Sequence, residues 1–181
     1  MRRLRISFGF CAVICLFAWV DWRFCLRFLV CALWHEMGHL AVMKLCRVPV
    51  EGVFLTAAGA VIETVFQDDK KEFLCAAAGP AAGVLLGCVL LRIYPVMAMV
   101  SLLLSVVNLL PLDPLDGGRM LRTGLSIWLP EERVAGILRF VSGMVCCVLM
   151  VLACWGTICL QMGLWPIFAA LVLLWRVGAR E

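Results

Sequence analysis

Charge is scarce in this chain of 181 residues. Asp, Glu, Lys and Arg account for 15% of it against 65% hydrophobic residues, and the mean hydropathy is +1.05. A water-soluble domain of this length has too small an interior to hide so much apolar surface, so that class is excluded. Histidine is scarcer still, with 2 in the whole sequence, which confines any imidazole chemistry to one place. The 11 Cys include no C-x-x-C pair, and most of them lie inside apolar runs. There Cys acts as a small hydrophobe, which excludes a thiolate metal cluster, a dithiol redox centre and a disulfide-stapled secreted fold. The net charge of +4 is modest and dispersed. It is not the footprint of a nucleic-acid binder, and nucleic acid is not an expected partner.

What the chain has in quantity is long apolar runs. They cover residues 6–20, 24–46, 73–91, 94–112, 134–155 and 157–175, separated by short polar stretches. A membrane-spanning helix needs about 20 apolar residues, so each run predicts one crossing. The expected fold class is an all-α polytopic membrane protein of about six transmembrane helices, forming a single membrane-embedded domain over residues 1–181. No small-residue cleavage site precedes Asp21-Trp22-Arg23, so the first run is predicted to be an uncleaved helix and not a signal peptide.

The basic residues predict an orientation. With both termini in the cytoplasm, only Arg23, Arg27 and Arg92 of the 16 Lys and Arg fall on the outer side. Cytoplasmic loops are enriched in Lys and Arg, so a multi-pass protein of the cell membrane with both termini cytoplasmic is expected.

Between the second and third runs, Pro49, Gly52 and Gly59 interrupt the helical pattern, while Val53-Phe54-Leu55 and Val61-Ile62 read as strand. A short hairpin at the membrane surface is predicted there. Further on, Gly79, Gly83 and Gly87 recur every four residues, which predicts a close helix contact, with Pro80 as a kink.

The chemistry is concentrated in His35-Glu36-Met37-Gly38-His39, which contains both histidines. On a helix, residues four apart project from one face, so His35 and His39 can share a metal ion with Glu36 beside it. Neutral imidazoles leave a zinc ion strongly Lewis acidic, and a neighbouring carboxylate can take a proton from water. Ionisable residues at membrane depth are costly and mark function. A catalytic tetrahedral zinc with two His needs one more protein ligand. Glu51, Glu63, Asp113 and Asp116 are the carboxylates away from charged loops. The segment from Asn108 through Pro111, Asp113, Pro114 and Asp116 to Gly117-Gly118 closes the fourth run on the side where the second ends. That favours Asp113 or Asp116, and spacing does not choose between them.

His35-Glu36-Met37-Gly38-His39 together with Asn108, Pro111 and Pro114-Leu115-Asp116-Gly117-Gly118 resembles the paired signatures of the site-2 protease family of intramembrane zinc metalloproteases. Within it, six spans and a short middle hairpin are most similar to the bacterial sporulation branch, which processes a pro-sigma factor. The resemblance covers roughly residues 5–175. It implies one Zn2+ on His35, His39 and Asp116, with Glu36 as general base. It also implies that Asn108, Pro111 and Pro114 position the substrate, a membrane-anchored or membrane-associated regulatory protein such as a pro-sigma or anti-sigma factor. The lipid bilayer and regulatory membrane proteins are the other partners it implies.

Two departures from the family are visible. The sporulation branch usually carries a C-terminal CBS module, and the expectation here is a membrane domain without one. Gly83 stands where the family commonly has a Gly-Pro-x-x-Asn motif, so the role of that Asn has no carrier. The alternative reading is a non-enzymatic membrane protein that binds or transports a metal. Glu36 argues against it, because a closed structural site has no use for a general base.

Overall fold

Asp21 divides what would otherwise be one long helix. In the computed structural model α1 runs Phe8–Leu45, but Asp21 has non-helical backbone angles (φ −154°, ψ 98°). Its Oδ1 accepts from the backbone N–H groups of Arg23 (2.9 Å) and Phe24 (3.1 Å), so it caps the segment that follows. The chain folds back at this point. The Cys25 thiol donates to the Ile14 carbonyl at 3.9 Å, and the Phe17 ring lies 6.0 Å from those of both Phe24 and Phe28. In a straight helix Ile14 and Cys25 would be about 16 Å apart. The predicted first and second apolar helices are therefore the two arms of a hairpin.

The structure describes residues 3–56, 59–66, 68–113, 115–159, 161, 167, 170 and 171. The chain falls into two compact units, Met1–Asn108 and Leu109–Glu181.

The first unit begins with β1 (Arg3–Ile6), followed by α1. Helix α1 ends at Leu45, with Arg47 in the left-handed region (φ 56°) and the Val48 N–H bonded to the Met43 carbonyl at 2.9 Å. Strands β2 (Val50–Thr56) and β3 (Gly59–Thr64) then pair antiparallel, as predicted for the hairpin. The sequence reading did not anticipate β1, which pairs in parallel with β2 to complete a three-stranded sheet in the order β1-β2-β3. The all-α expectation is corrected to that extent. β1 was missed because a parallel partner far along the chain leaves no local pattern.

Helix α2 (Asp69–Leu90) leaves the sheet, a turn at 91–94 follows, and α3 (Pro95–Asn108) runs back. Met43, Val48 and Cys75 form a small core under the sheet, joined by Val50 and Ile62. The sheet therefore marks one rim of this unit, while Asp21 and the 91–94 turn mark the opposite one. Ser101 Oγ on α3 donates to the Gly83 carbonyl at 2.7 Å, so the glycine row on α2 is a packing face, as expected.

The second unit contains the amphipathic α4 (Asp116–Ser126) and the apolar α5 (Glu131–Cys159). Among the described residues, α1, α2 and α5 have the length and apolarity to cross a membrane, and α3 is a shorter apolar helix. Side chains such as Phe8 and Trp19, 89% and 90% exposed, face outward as a lipid solvent requires. The last predicted run, 157–175, lies largely outside the described residues.

Candidate metal centre

His35 and His39 stand one turn apart on α1, and both are buried. Their Nε2 atoms are 3.2 Å apart, with the ring planes at 78°. His39 Nδ1 lies 2.7 Å from the carbonyl oxygen of Cys75 on α2. A carbonyl can only accept, so Nδ1 carries the proton and Nε2 of the neutral ring offers its lone pair. A metal needs this tautomer, and a carbonyl behind a ligating imidazole holds the ring in place. Two nitrogens bound to one tetrahedral zinc at about 2.0–2.1 Å stand roughly 3.3 Å apart. The observed spacing fits a shared ion.

The wall facing these nitrogens is Gly79 on α2. A Cβ there would press against Nε2 of His39 and lie 2.7 Å from Nε2 of His35. Only glycine leaves that space open. Nearby, Trp34 Nε1 donates to the Ala82 carbonyl at 3.0 Å and ties α1 to α2 beside His35. Glu36 is half-buried, whereas the next residue, Met37, is 52% exposed.

Asp116 opens α4 and is buried, only 8% exposed. A carboxylate in the first turn is favoured by the helix dipole. The next residue, Gly117, lies directly on the preceding backbone, since a Cβ there would meet the Leu109 carbonyl and come within 2.5 Å of the Leu110 oxygen. Asp113, three residues before Asp116, is half-buried.

The residues expected to position substrate are less informative. Asn108 ends α3 with its Nδ2 donating to the Leu104 carbonyl at 2.9 Å. The Pro111 carbonyl accepts from Ser142 Oγ at 3.3 Å. Pro114 lies outside the described residues. Sequence reasoning missed the Cys75 carbonyl, because any residue can supply a backbone acceptor. It found Gly79 as a packing residue without its second role beside the imidazoles.

The pattern that defines peptidase family M50 matches residues 23–96 and 90–151. The chain belongs to that family. Both motifs behind the site-2 protease resemblance, His35–His39 and Asn108–Gly118, fall inside the matched residues of this M50 chain. Over 105 residues it is 34% identical to a zinc metalloprotease of Methanocaldococcus jannaschii, a stretch that is 51% of this chain and 31% of that protein. Over 160 residues it is 29% identical to stage IV sporulation protein FB of Bacillus subtilis, 80% of this chain and 54% of that protein. The chain thus spans about half or less of the length of these curated relatives. The solved site-2 protease from Methanocaldococcus jannaschii has the same fold, with a TM-score of 0.71, 22% identity, and coverage of 96% of this chain and 88% of that one. Zinc is the metal that M50 membership implies, and the two imidazoles described above fit it.

Proposed function

We propose that this chain is an intramembrane zinc metalloprotease, a single membrane-embedded domain that hydrolyses a peptide bond of a membrane-anchored or membrane-associated regulatory protein. The observation that carries the reading is the His35–His39 pair, 3.2 Å apart at Nε2, with His39 set in its metal-binding tautomer by the Cys75 carbonyl.

His35, His39 and Asp116 would hold the ion. When bound there, zinc supplies the Lewis acidity that makes water a nucleophile near neutral pH and polarises a carbonyl. Glu36 accepts the proton of the attacking water and returns it to the leaving amine, a role for a carboxylate next to the ligands that is neither fully buried nor fully solvated. Asn108 keeps a second amide N–H beyond the one given to Leu104, and we assign it a contact to the substrate backbone together with Pro111 and Pro114.

The break at Asp21 and the return of α3 toward the sheet support separate crossings for the first four apolar runs, while six crossings with both termini cytoplasmic rest on the apolar runs and the Lys and Arg distribution. The metal pair lies toward the sheet end of α1, so cleavage is expected near the cytoplasmic face. A helix hides its carbonyls in hydrogen bonds, so the substrate must be extended locally to be cut. A pro-sigma or anti-sigma factor is the kind of regulator that the site-2 protease resemblance implies.

The deciding experiment compares wild type with Glu36→Gln, co-expressed with membrane-anchored regulators. Unchanged zinc content with loss of the cleaved fragment is expected. Cleavage that persists in Glu36→Gln would refute the protease reading and leave a metal-binding membrane protein.

A further inference from the structure

At the rim of the first unit opposite the sheet lies a cavity of about 180 Å³ lined by Arg27, Ile93, Tyr94, Pro95, Val96 and Met97. Arg27 sits on the second arm of α1, which rises about 9 Å between Asp21 and Arg27. The rim itself resembles a headgroup boundary: Trp19, Trp22 and Tyr94 are 90%, 62% and 63% exposed, and amphipathic aromatic rings collect at that level of a bilayer. Arg27 is therefore a half-buried guanidinium on the hydrocarbon side of an aromatic belt.

An arginine at that depth needs an anion or an escape to water. Among the described residues no carboxylate pairs with Arg27, Arg23 or Arg92. The acid nearest in sequence, Asp21, has its Oδ1 engaged by the Arg23 and Phe24 N–H groups. Arg23 adds to the positive field at the same rim, stacked 5.5 Å over the Trp22 ring, and Arg92 adjoins the cavity-lining Ile93. The cavity has room for a phosphate group, not for a peptide strand or helix. Exposed apolar helix surface on either side offers a place for acyl chains.

We propose that this cavity binds the phosphate of an anionic phospholipid, with Arg27 supplying a charge-assisted, two-pronged contact and Tyr94 a hydroxyl donor. The site is remote from His35 and His39 and does not depend on the proteolytic reading. It would anchor the turn between α2 and α3 to the bilayer surface.

The test uses the full-length, zinc-loaded protein in detergent, titrated with phosphatidylglycerol or phosphatidylcholine and followed by native mass spectrometry. Wild type is expected to retain phosphatidylglycerol in preference to phosphatidylcholine. Loss of a charged hydrogen-bond partner should make Arg27→Gln retain about tenfold less. Arg27→Lys should fall between, and Arg139→Gln on α5 should match wild type. Inorganic phosphate should not displace the lipid. Equal retention by wild type and Arg27→Gln, no preference over phosphatidylcholine, or displacement by inorganic phosphate would each overturn the proposal. Zinc content of each sample reports folding. If Arg27→Gln fails to fold, reduced retention by Tyr94→Phe supports the site and unchanged retention rejects it.

Discussion

Gly79 is to His39 what an open door is to a lock: a Cβ at Gly79 would press against Nε2 of His39 and come within 2.5 Å of its Cε1. The same added atom would stand 2.7 Å from Nε2 of His35, in the space both ligand nitrogens face. Gly79→Ala should therefore expel the metal without altering any ligand. Overpacking at such a site costs about 1–3 kcal/mol, which corresponds to about tenfold weaker zinc binding or more. Zinc analysis of the purified variant checks this, with Gly136→Ala as the control, since a Cβ at Gly136 meets nothing within 4 Å.

The choice between two acids can be tested directly. Asp116→Ala should lower zinc affinity by more than the ~10–100-fold typical of a lost outer partner, because it removes a ligand. Asp113→Ala should leave most of the zinc in place. Competition with a calibrated chelator separates the two, and equal loss in both variants would show that the wrong carboxylate was chosen.

The hairpin in α1 depends on one side chain. Asp21→Ala removes the acceptor for the N–H groups of Arg23 and Phe24 and should cost about 1 kcal/mol. Asp21→Asn keeps an acceptor and should cost a few tenths or less. Thermal unfolding in detergent, ranking wild type and Asn above Ala, is the measurement.

Orientation follows from the basic residues. Reporter fusions after residue 181 and in the turn containing Arg92 should fall on opposite sides of the membrane, with the C-terminal one in the cytoplasm. An external C-terminal reporter would remove the six-span arrangement.

Much of the candidate site is legible in the sequence, and the reason is periodicity. A four-residue spacing on a helix puts His35 and His39 on one face whatever surrounds them, so the pair was readable locally. The break between the first two runs was readable as well, because Asp21-Trp22-Arg23 interrupts apolar sequence and Asp caps the helix that follows. Val53-Phe54-Leu55 and Val61-Ile62 have β-rich composition between turn residues, and they pair as β2 and β3.

What sequence alone determined, then, is everything governed by contacts a few residues long: a membrane-embedded chain, a His pair with its carboxylate, a hairpin and a glycine face. The tertiary structure decided the rest, because each remaining relationship joins residues far apart along the chain. β1 pairs with β2 across the whole of α1. The carbonyl of Cys75, anonymous in sequence, becomes the partner that fixes the His39 tautomer. Spacing could not choose between Asp113 and Asp116; the fold separates them by environment, burying Asp116 at the start of α4 and leaving Asp113 half-buried before it. Helix geometry is a property of the backbone and can be read locally, whereas a coordination site depends on where separate elements come to rest.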